Sequence, residues 1–180
     1  MRWSKTKFLL ESLICENLVK RVKIHLTSYN ASIGEPRRIW ITLDNTEIFN
    51  ASTQYYLIEH DKLWENVKLM TDKPFPECLY ECYPEFVGKF SDQDYSMLVL
   101  EQRNVFNVDR VYSALVQYPN LSIDEAICSD NVIVQALAMI DKRLGKRRLH
   151  NIRFAPDTHH LIKGFYTIRC DAEGNHSLSI

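Results

Sequence analysis

The sequence predicts an α+β fold, in which an N-terminal helix and a small three-stranded antiparallel sheet with a covering helix precede a helical C-terminal half. Two patterns carry this prediction. Apolar and polar residues alternate over residues 22–26, which is typical of a half-buried strand, and two further short strand-like stretches flank a two-residue hairpin loop. From residue 91 onward, apolar residues recur at helical spacing behind residues that commonly cap helices.

The composition fits a single folded domain. The chain has 180 residues, of which 46% are hydrophobic and 25% are charged, with only 5 Gly and 6 Pro. These values exclude a disordered tail, a collagen-like chain and a disulfide-dense mini-protein. We therefore expect one domain over residues 1–180, with a helix-and-sheet part (1–70), a Pro-containing connection (71–90) and a helical part (91–180).

The first helix is predicted over about residues 5–20, with Ser4 as its N-cap. The hydrophobic period then changes to two, because apolar and polar residues alternate over residues 22–26. We expect the first strand there. A turn containing Gly34 and Pro36 follows it.

The second and third strands are predicted over residues 38–43 and 47–49, joined by a two-residue hairpin loop. Ser52 or Thr53 is expected to cap the covering helix, which reaches about residue 69.

The C-terminal half is predicted to be helical after a loop over residues 71–90, in which one short strand is possible. The expected helix caps are Ser91, Asn107, Ser122, either Asp130 or Asn131, and either Asp157 or Thr158. The strongest helix is predicted over residues 132–144 and is ended by Gly145.

The charge is unevenly distributed although the net charge is only -1. Residues 1–43 hold 8 basic and 3 acidic side chains, residues 44–101 hold 4 and 12, and residues 102–180 hold 10 and 8. Such asymmetry can steer a charged partner, or the acidic and basic regions can pair with each other in the fold.

The densest positive charge lies between residues 142 and 153. Six basic residues and no acidic residue occur there: Lys142, Arg143, Lys146, Arg147, Arg148 and Arg153. Exposed together, these side chains would bind phosphate or carboxylate oxygens. The alternative is structural, since cations at a helix end cap free carbonyls, and Asp141 would then pair with Arg147 or Arg148.

The helix that precedes these cations is not expected to read DNA. Only Gln135 is polar between residues 132 and 140, and a helix in the major groove needs a polar face. We expect this helix in the core. Any nucleic acid would then be contacted by the basic segment through its backbone, without sequence readout.

Metal and enzyme motifs are largely missing. Cys78 and Cys82 are four residues apart, but no second short ligand pair accompanies them, and we expect neither a metal nor a cofactor. No nucleotide-binding loop or nucleophile elbow is present, so a non-enzymatic role is favoured. His150, His159 and His160 leave open a small metal-independent phosphodiesterase with His as general acid and base.

The sequence also predicts the compartment. No apolar run is long enough to span a bilayer, and the start is too acidic after residue 10 for a secretory signal. The 5 cysteines are an odd number without a disulfide-like spacing. We expect a cytoplasmic protein without membrane contact, and the oligomeric state is left open.

Four stretches of the chain are distinctive. They read MRWSKTK (1–7), RIWIT (38–42), DKRLGKRRL (141–149) and FYTIRCDAEG (165–174). In them the chain resembles members of an uncharacterised family of small bacterial cytosolic proteins, and the resemblance covers nearly the whole chain. It implies a bacterial cytosolic protein, with no activity and no site residues to transfer.

Three functions are therefore to be separated. The first is a non-enzymatic binding protein that uses its basic segment for an anionic partner, either nucleic acid or an acidic protein surface. The second is a protein-interaction module, such as an immunity-type inhibitor, that uses the acidic middle segment. The third is the small phosphodiesterase.

Overall fold

The computed structural model describes residues 2–28, 37–71, 73–74, 77–84 and 92–174. Its elements are α1 (Trp3–Leu13), β1 (Val22–Ser28), β2 (Arg37–Leu43), β3 (Thr46–Ser52), α2 (Thr53–Met70), α3 (Glu77–Cys82), α4 (Asp92–Gln102), α5 (Val108–Gln117), a 3-10 turn (Tyr118–Asn120), α6 (Ile123–Ile127), α7 (Val132–Ile140), α8 (Lys146–His150) and α9 (His160–Ala172). The predicted α+β fold is confirmed, with its three-stranded antiparallel sheet, covering helix and helical C-terminal half. The expected turn at Gly34 and Pro36 and the expected cap Ser91 lie outside the described residues.

The sheet has the strand order β1-β2-β3. Between β2 and β3, Asp44 has φ 49° and Asn45 has φ 67°, the left-handed conformation that a tight two-residue hairpin favours. The Arg21 guanidinium fixes this turn by donating to the Asp44 carboxylate at 2.5–3.0 Å. Ile39 and Ile41 are buried on one face of β2. The hairpin that the two-residue loop predicted is therefore present.

One tertiary contact ends two helices earlier than predicted. α1 ends at Leu13 and α7 at Ile140, whereas the apolar patterns predict about residues 20 and 144. The next residues, Ile14 and Asp141, are extended and pair as an antiparallel bridge, flanked by main-chain hydrogen bonds of 2.8 and 2.9 Å. Because the two residues are far apart in sequence, no local pattern could reveal that the chain leaves the helix here.

Several helix starts follow the predicted caps. The Ser52 hydroxyl accepts the Tyr55 N–H at the start of α2. Ser122 and Glu125 form the complete capping box before α6, and Asn131 caps α7 through its side-chain oxygen.

Two predicted caps are wrong. α1 begins after Arg2, so Ser4 lies inside the first turn. α9 begins after His159, whose side chain accepts the Leu161 N–H, because the chain at Asp157 and Thr158 is still turning.

The connection over residues 71–90 contains a short helix, α3, where a loop with at most one strand was expected. The Cys78 N–H donates to the Pro74 carbonyl at 3.1 Å, so this proline precedes the helix instead of breaking it. Cys78 is buried with Leu63 and Val67 of α2. The gain from burying this apolar side chain explains why a Pro-containing segment turns helical here.

The chain divides into two compact units, Met1–His25 with Trp40–Phe49 and Asp109–Ile180, and Leu26–Ile39 with Asn50–Val108. The single domain expected from length stays a prediction. Among the described residues, no helix is long and apolar enough to cross a membrane.

Each unit has its own core. In the first, α7 packs on α9, and Ile41, Phe49, Leu137 and Phe165 line one apolar gap. Seven of the nine residues of α7 are buried, which confirms that it is a core helix. In the second unit, α2, α3 and α4 meet around a buried apolar cluster that consists of Leu63, Val67, Cys78, Val99, Leu100 and Val105.

Candidate anion-binding site

The basic segment does not cap α7, as the structural alternative supposed. α7 ends at Ile140, and a turn over residues 142–144 separates it from α8. α8 is the five-residue helix Lys146–His150, and its one buried side chain is Leu149. Leu144 and Leu149 pack in one apolar cluster with Cys170 of α9. Two apolar anchors therefore hold a short basic stretch to the fold.

Arg143 points into the fold and binds the buried carboxylate of Asp141. Its Nη2 and Nε lie 2.7 and 3.0 Å from Asp141 Oδ2, and its Nη1 donates to the Leu121 carbonyl at 2.6 Å. Asp141 is 1% exposed, and Tyr118 also donates its hydroxyl to Oδ2 at 2.6 Å. The expected pairing of Asp141 with Arg147 or Arg148 is thus wrong. Arg143 is nearer in sequence and reaches the carboxylate from the same tight turn.

The electrostatics of this cluster follow from burial. Burial and the negative charge of Asp141 raise the pKa of Tyr118 well above its usual value. The Asp141 carboxylate raises the pKa of Arg143 through the hydrogen bonds it accepts. Both shifts favour the protonated forms, in which Tyr118 donates its hydroxyl and Arg143 carries its charge beside Asp141.

A second buried ion pair ties α9 to the end of α7. Arg169, which is 4% exposed, donates from Nε to Glu173 and from Nη1 to the carbonyls of Ile140 and Asp141 at 3.3 Å. The Glu173 side chain is 2% exposed, and its Oε2 has no hydrogen-bond partner among the described residues. Lys146 Nζ lies 3.5 Å from that oxygen. The Lys146 ammonium therefore forms an ion pair with the buried Glu173 carboxylate, while most of the Lys146 side chain is exposed to solvent.

The other cations of the segment are exposed. Arg148 binds Asp124, but both side chains are largely in solvent, and such pairs contribute only about 0–1 kcal/mol. Arg153 Nη1 donates to the carbonyls of His150 and Ile152 at 3.0 Å. For the Lys142 and Arg147 side chains, the described part of the chain offers no ion pair.

We call the exposed group the basic surface. Its members are Lys142, Lys146, Arg147, Arg148 and Arg153. The acidic partners seen for the segment are Asp124, Asp141 and Glu173, all of which lie after residue 101. In the acidic middle segment, Glu81 binds Lys73.

The histidines are arranged for local structure. His159 Nδ1 accepts the Leu161 N–H at 3.1 Å and caps α9, and the rings of His159 and His160 stack with centroids 4.3 Å apart. Because Nδ1 accepts this bond, the ring proton of a neutral His159 lies on Nε2. The described residues contain no cluster of three or more His, Cys, Asp or Glu side chains suited to a metal ion.

The sequence did not reveal Tyr118, Arg169 and Glu173 as parts of this site. The spacing of Arg169 and Glu173, four residues apart on a helix, is the one local signal that indicates a pair. No local sequence pattern indicates the role of Tyr118, because its hydrogen-bond partner Asp141 lies 23 residues later in the chain.

Two of the four distinctive stretches meet in this network, since it joins residues 141–149 to residues 165–174. A family model matches residues 2–170, and the chain belongs to that family, the SF0329 protein family. No curated protein and no solved structure matches the chain.

Proposed function

We propose that this SF0329-family chain is a non-enzymatic binding protein of the bacterial cytoplasm, whose basic surface contacts an anionic partner. One observation supports the proposal most. The twelve-residue segment 142–153 carries five exposed cations. Its short helix, α8, is held to the fold by the buried side chains of Leu144 and Leu149. A fixed positive surface attracts an anion without the entropic cost of ordering a loose loop.

Arg143 has a different role in this proposal. Its donors are directed at Asp141 and the Leu121 carbonyl, so it positions the turn from which the exposed cations project. Leu144 and Leu149, each at most 1% exposed, hold α8 to the fold by packing against Cys170. The exposed cations are thereby kept on one short stretch of chain.

Nucleic acid is the first partner to test, because closely spaced phosphates suit Lys and forked Arg donors. The neighbouring α7 is buried and cannot enter a groove. Binding is therefore expected through the phosphate backbone and to be nearly independent of sequence. An acidic protein surface would use the same cations, and it becomes the preferred partner if oligonucleotides do not bind.

The test replaces Lys146, Arg147 and Arg148 together with Ala. Losing three phosphate contacts should weaken oligonucleotide binding about tenfold or more at low salt, and should lower the slope of log affinity against log salt by about two to three. A matched control removes three exposed cations elsewhere, Lys5→Ala, Lys20→Ala and Lys68→Ala. Equal losses in both variants would show that net charge, not this surface, determines binding.

The second candidate function, a protein-interaction module, is supported by exposed apolar side chains on α2. α2 in the acidic middle segment leaves five large apolar side chains exposed, namely Tyr55, Leu57, Ile58, Leu69 and Met70. Exposed apolar groups beside acidic ones favour a protein-interaction module. This candidate takes first place if oligonucleotides do not bind at low salt and replacing the basic surface also leaves binding to an acidic protein unchanged.

A further inference from the structure

The outward face of α2 carries a regular pattern. Leu63 and Val67 are buried against the unit's own core, so the residues about half a turn away face solvent. Four of these outward residues are spaced four, three and four apart: Ile58, Lys62, Glu65 and Leu69. This is the spacing at which one helix packs along another in a coiled coil. Ile58 is 45% and Leu69 86% exposed.

The order of these four residues reads apolar, positive, negative, apolar. When two copies of such a helix lie antiparallel, the first residue meets the last and the two middle residues meet each other. Ile58 of one copy then faces Leu69 of the other, and Lys62 faces Glu65. The same contacts recur on the other side of the twofold axis, as an isologous interface requires.

A parallel pair does not have this complementarity. It would place Lys62 against Lys62 and Glu65 against Glu65, and like charges in facing positions oppose association. The Lys62 ammonium already lies 2.8 Å from Glu59 of its own helix, yet its side chain remains 60% exposed and within reach of a second acceptor. Charge complementarity therefore selects the antiparallel arrangement.

We propose that α2 is a self-association surface, at which two copies of the chain pair through antiparallel α2 helices with Ile58 on Leu69 and Lys62 on Glu65. α2 has 18 residues and is about 27 Å long, so a pair of these helices buries a small interface. Small interfaces are weak and transient, and we expect a dimer with a dissociation constant on the order of tens of micromolar. The surface shares no residue with the basic surface, so this inference does not depend on the proposed function.

The test is a charge swap followed by sedimentation equilibrium of the full chain between about 1 and 300 µM, a range that brackets a weak dimer. Lys62→Glu or Glu65→Lys alone places two like-charged pairs in the interface and should weaken dimerisation about tenfold or more. The double variant K62E/E65K restores opposite charges across the twofold axis. It should return the dissociation constant to within about threefold of the parent value.

Two controls accompany the swap. Lys20→Glu makes the same change of charge at an exposed position outside α2 and should leave dimerisation unchanged. Circular dichroism and thermal melting of every variant separate loss of association from loss of folding.

The outcomes decide the proposal. Concentration-dependent dimers that the single reversals weaken and the double reversal restores would support it. A chain that stays monomeric over the whole range would overturn it and leave this face to a different partner. An unchanged dissociation constant in both single variants would also overturn it, because the dimer would then use another surface. Failure of the double variant to restore dimerisation would overturn it as well, because the helices would then pair in another orientation.

Discussion

At the scale of single residues, the basic segment depends on Asp141. One buried carboxylate accepts the Tyr118 hydroxyl, the Arg143 guanidinium and the Arg143 main-chain N–H, the last at 2.7 Å. These bonds compensate the cost of burying the charge. Asp141 also pairs with Ile14 through its backbone, so its side chain and main chain fix the same point.

Asp141→Asn should therefore be strongly destabilising. It removes the negative charge that pairs with Arg143, and breaking a buried ion pair in this way costs about 3–5 kcal/mol. The free energy of unfolding in urea measures the loss. Asp124→Asn breaks the exposed pair with Arg148 and should cost at most about 1 kcal/mol. Similar small losses in both variants would show that the Asp141 network is not a structural anchor.

His25 gives a pH dependence at the same scale. Its ring stacks on Trp40 with centroids 4.9 Å apart, and Nε2 lies 3.1 Å from Thr42 Oγ1. Burial and then Lys7 lower its pKa in the folded state, Lys23 adds to this effect, and Glu11 opposes it. The unfolded chain therefore binds the proton more readily, so this contribution to stability is complete above the unfolded pKa and is lost as the pH falls below it.

We expect the parent protein to lose more stability between pH 7.5 and pH 5.5 than a His25→Gln variant, a window that brackets the unfolded histidine pKa of about 6.5. Urea unfolding at both pH values, followed by Trp fluorescence, measures the difference. His160→Gln, at an exposed position on the surface, serves as the control. A His25→Gln variant with the same pH dependence as the parent would contradict this assignment.

At the scale of elements, local patterns predicted the strands, the hairpin and α2, because alternation and capping act within a few residues. They failed at the ends of α1 and α7, which the bridge between Ile14 and Asp141 determines. They also failed for α3, which is helical because Cys78 is buried in a tertiary cluster. Composition located the basic segment, but only the position of Asp141 in three dimensions separates the inward Arg143 from the exposed cations.

α7 provides the test at this scale. Leu137 is 4% exposed and lines the gap shared by the sheet and α9. Leu137→Ala should cost about 2–5 kcal/mol of unfolding free energy, from lost burial and the cavity left behind. Val132→Ala, at the half-buried start of the same helix, should cost about 1 kcal/mol or less. A loss below about 1 kcal/mol for Leu137→Ala would mean that α7 is not the core helix described above.

At the scale of the whole molecule, the net charge of -1 conceals separate charged regions. The basic surface lies on a short stretch held by Leu144, Leu149 and the Asp141 network, while the outward face of α2 combines apolar residues with paired charges. We propose a polyanion as the partner of the first surface and a second copy of the chain as the partner of the second.

The most direct test of the basic surface is the salt dependence of binding by the parent protein. Labelled single- and double-stranded oligonucleotides of unrelated sequence are titrated at two salt concentrations. If most of the five exposed cations contact phosphates, log affinity should fall against log salt with a slope of about -3 to -5, and unrelated sequences should bind equally. No binding at the lower salt concentration, or binding that salt does not weaken, would contradict the account.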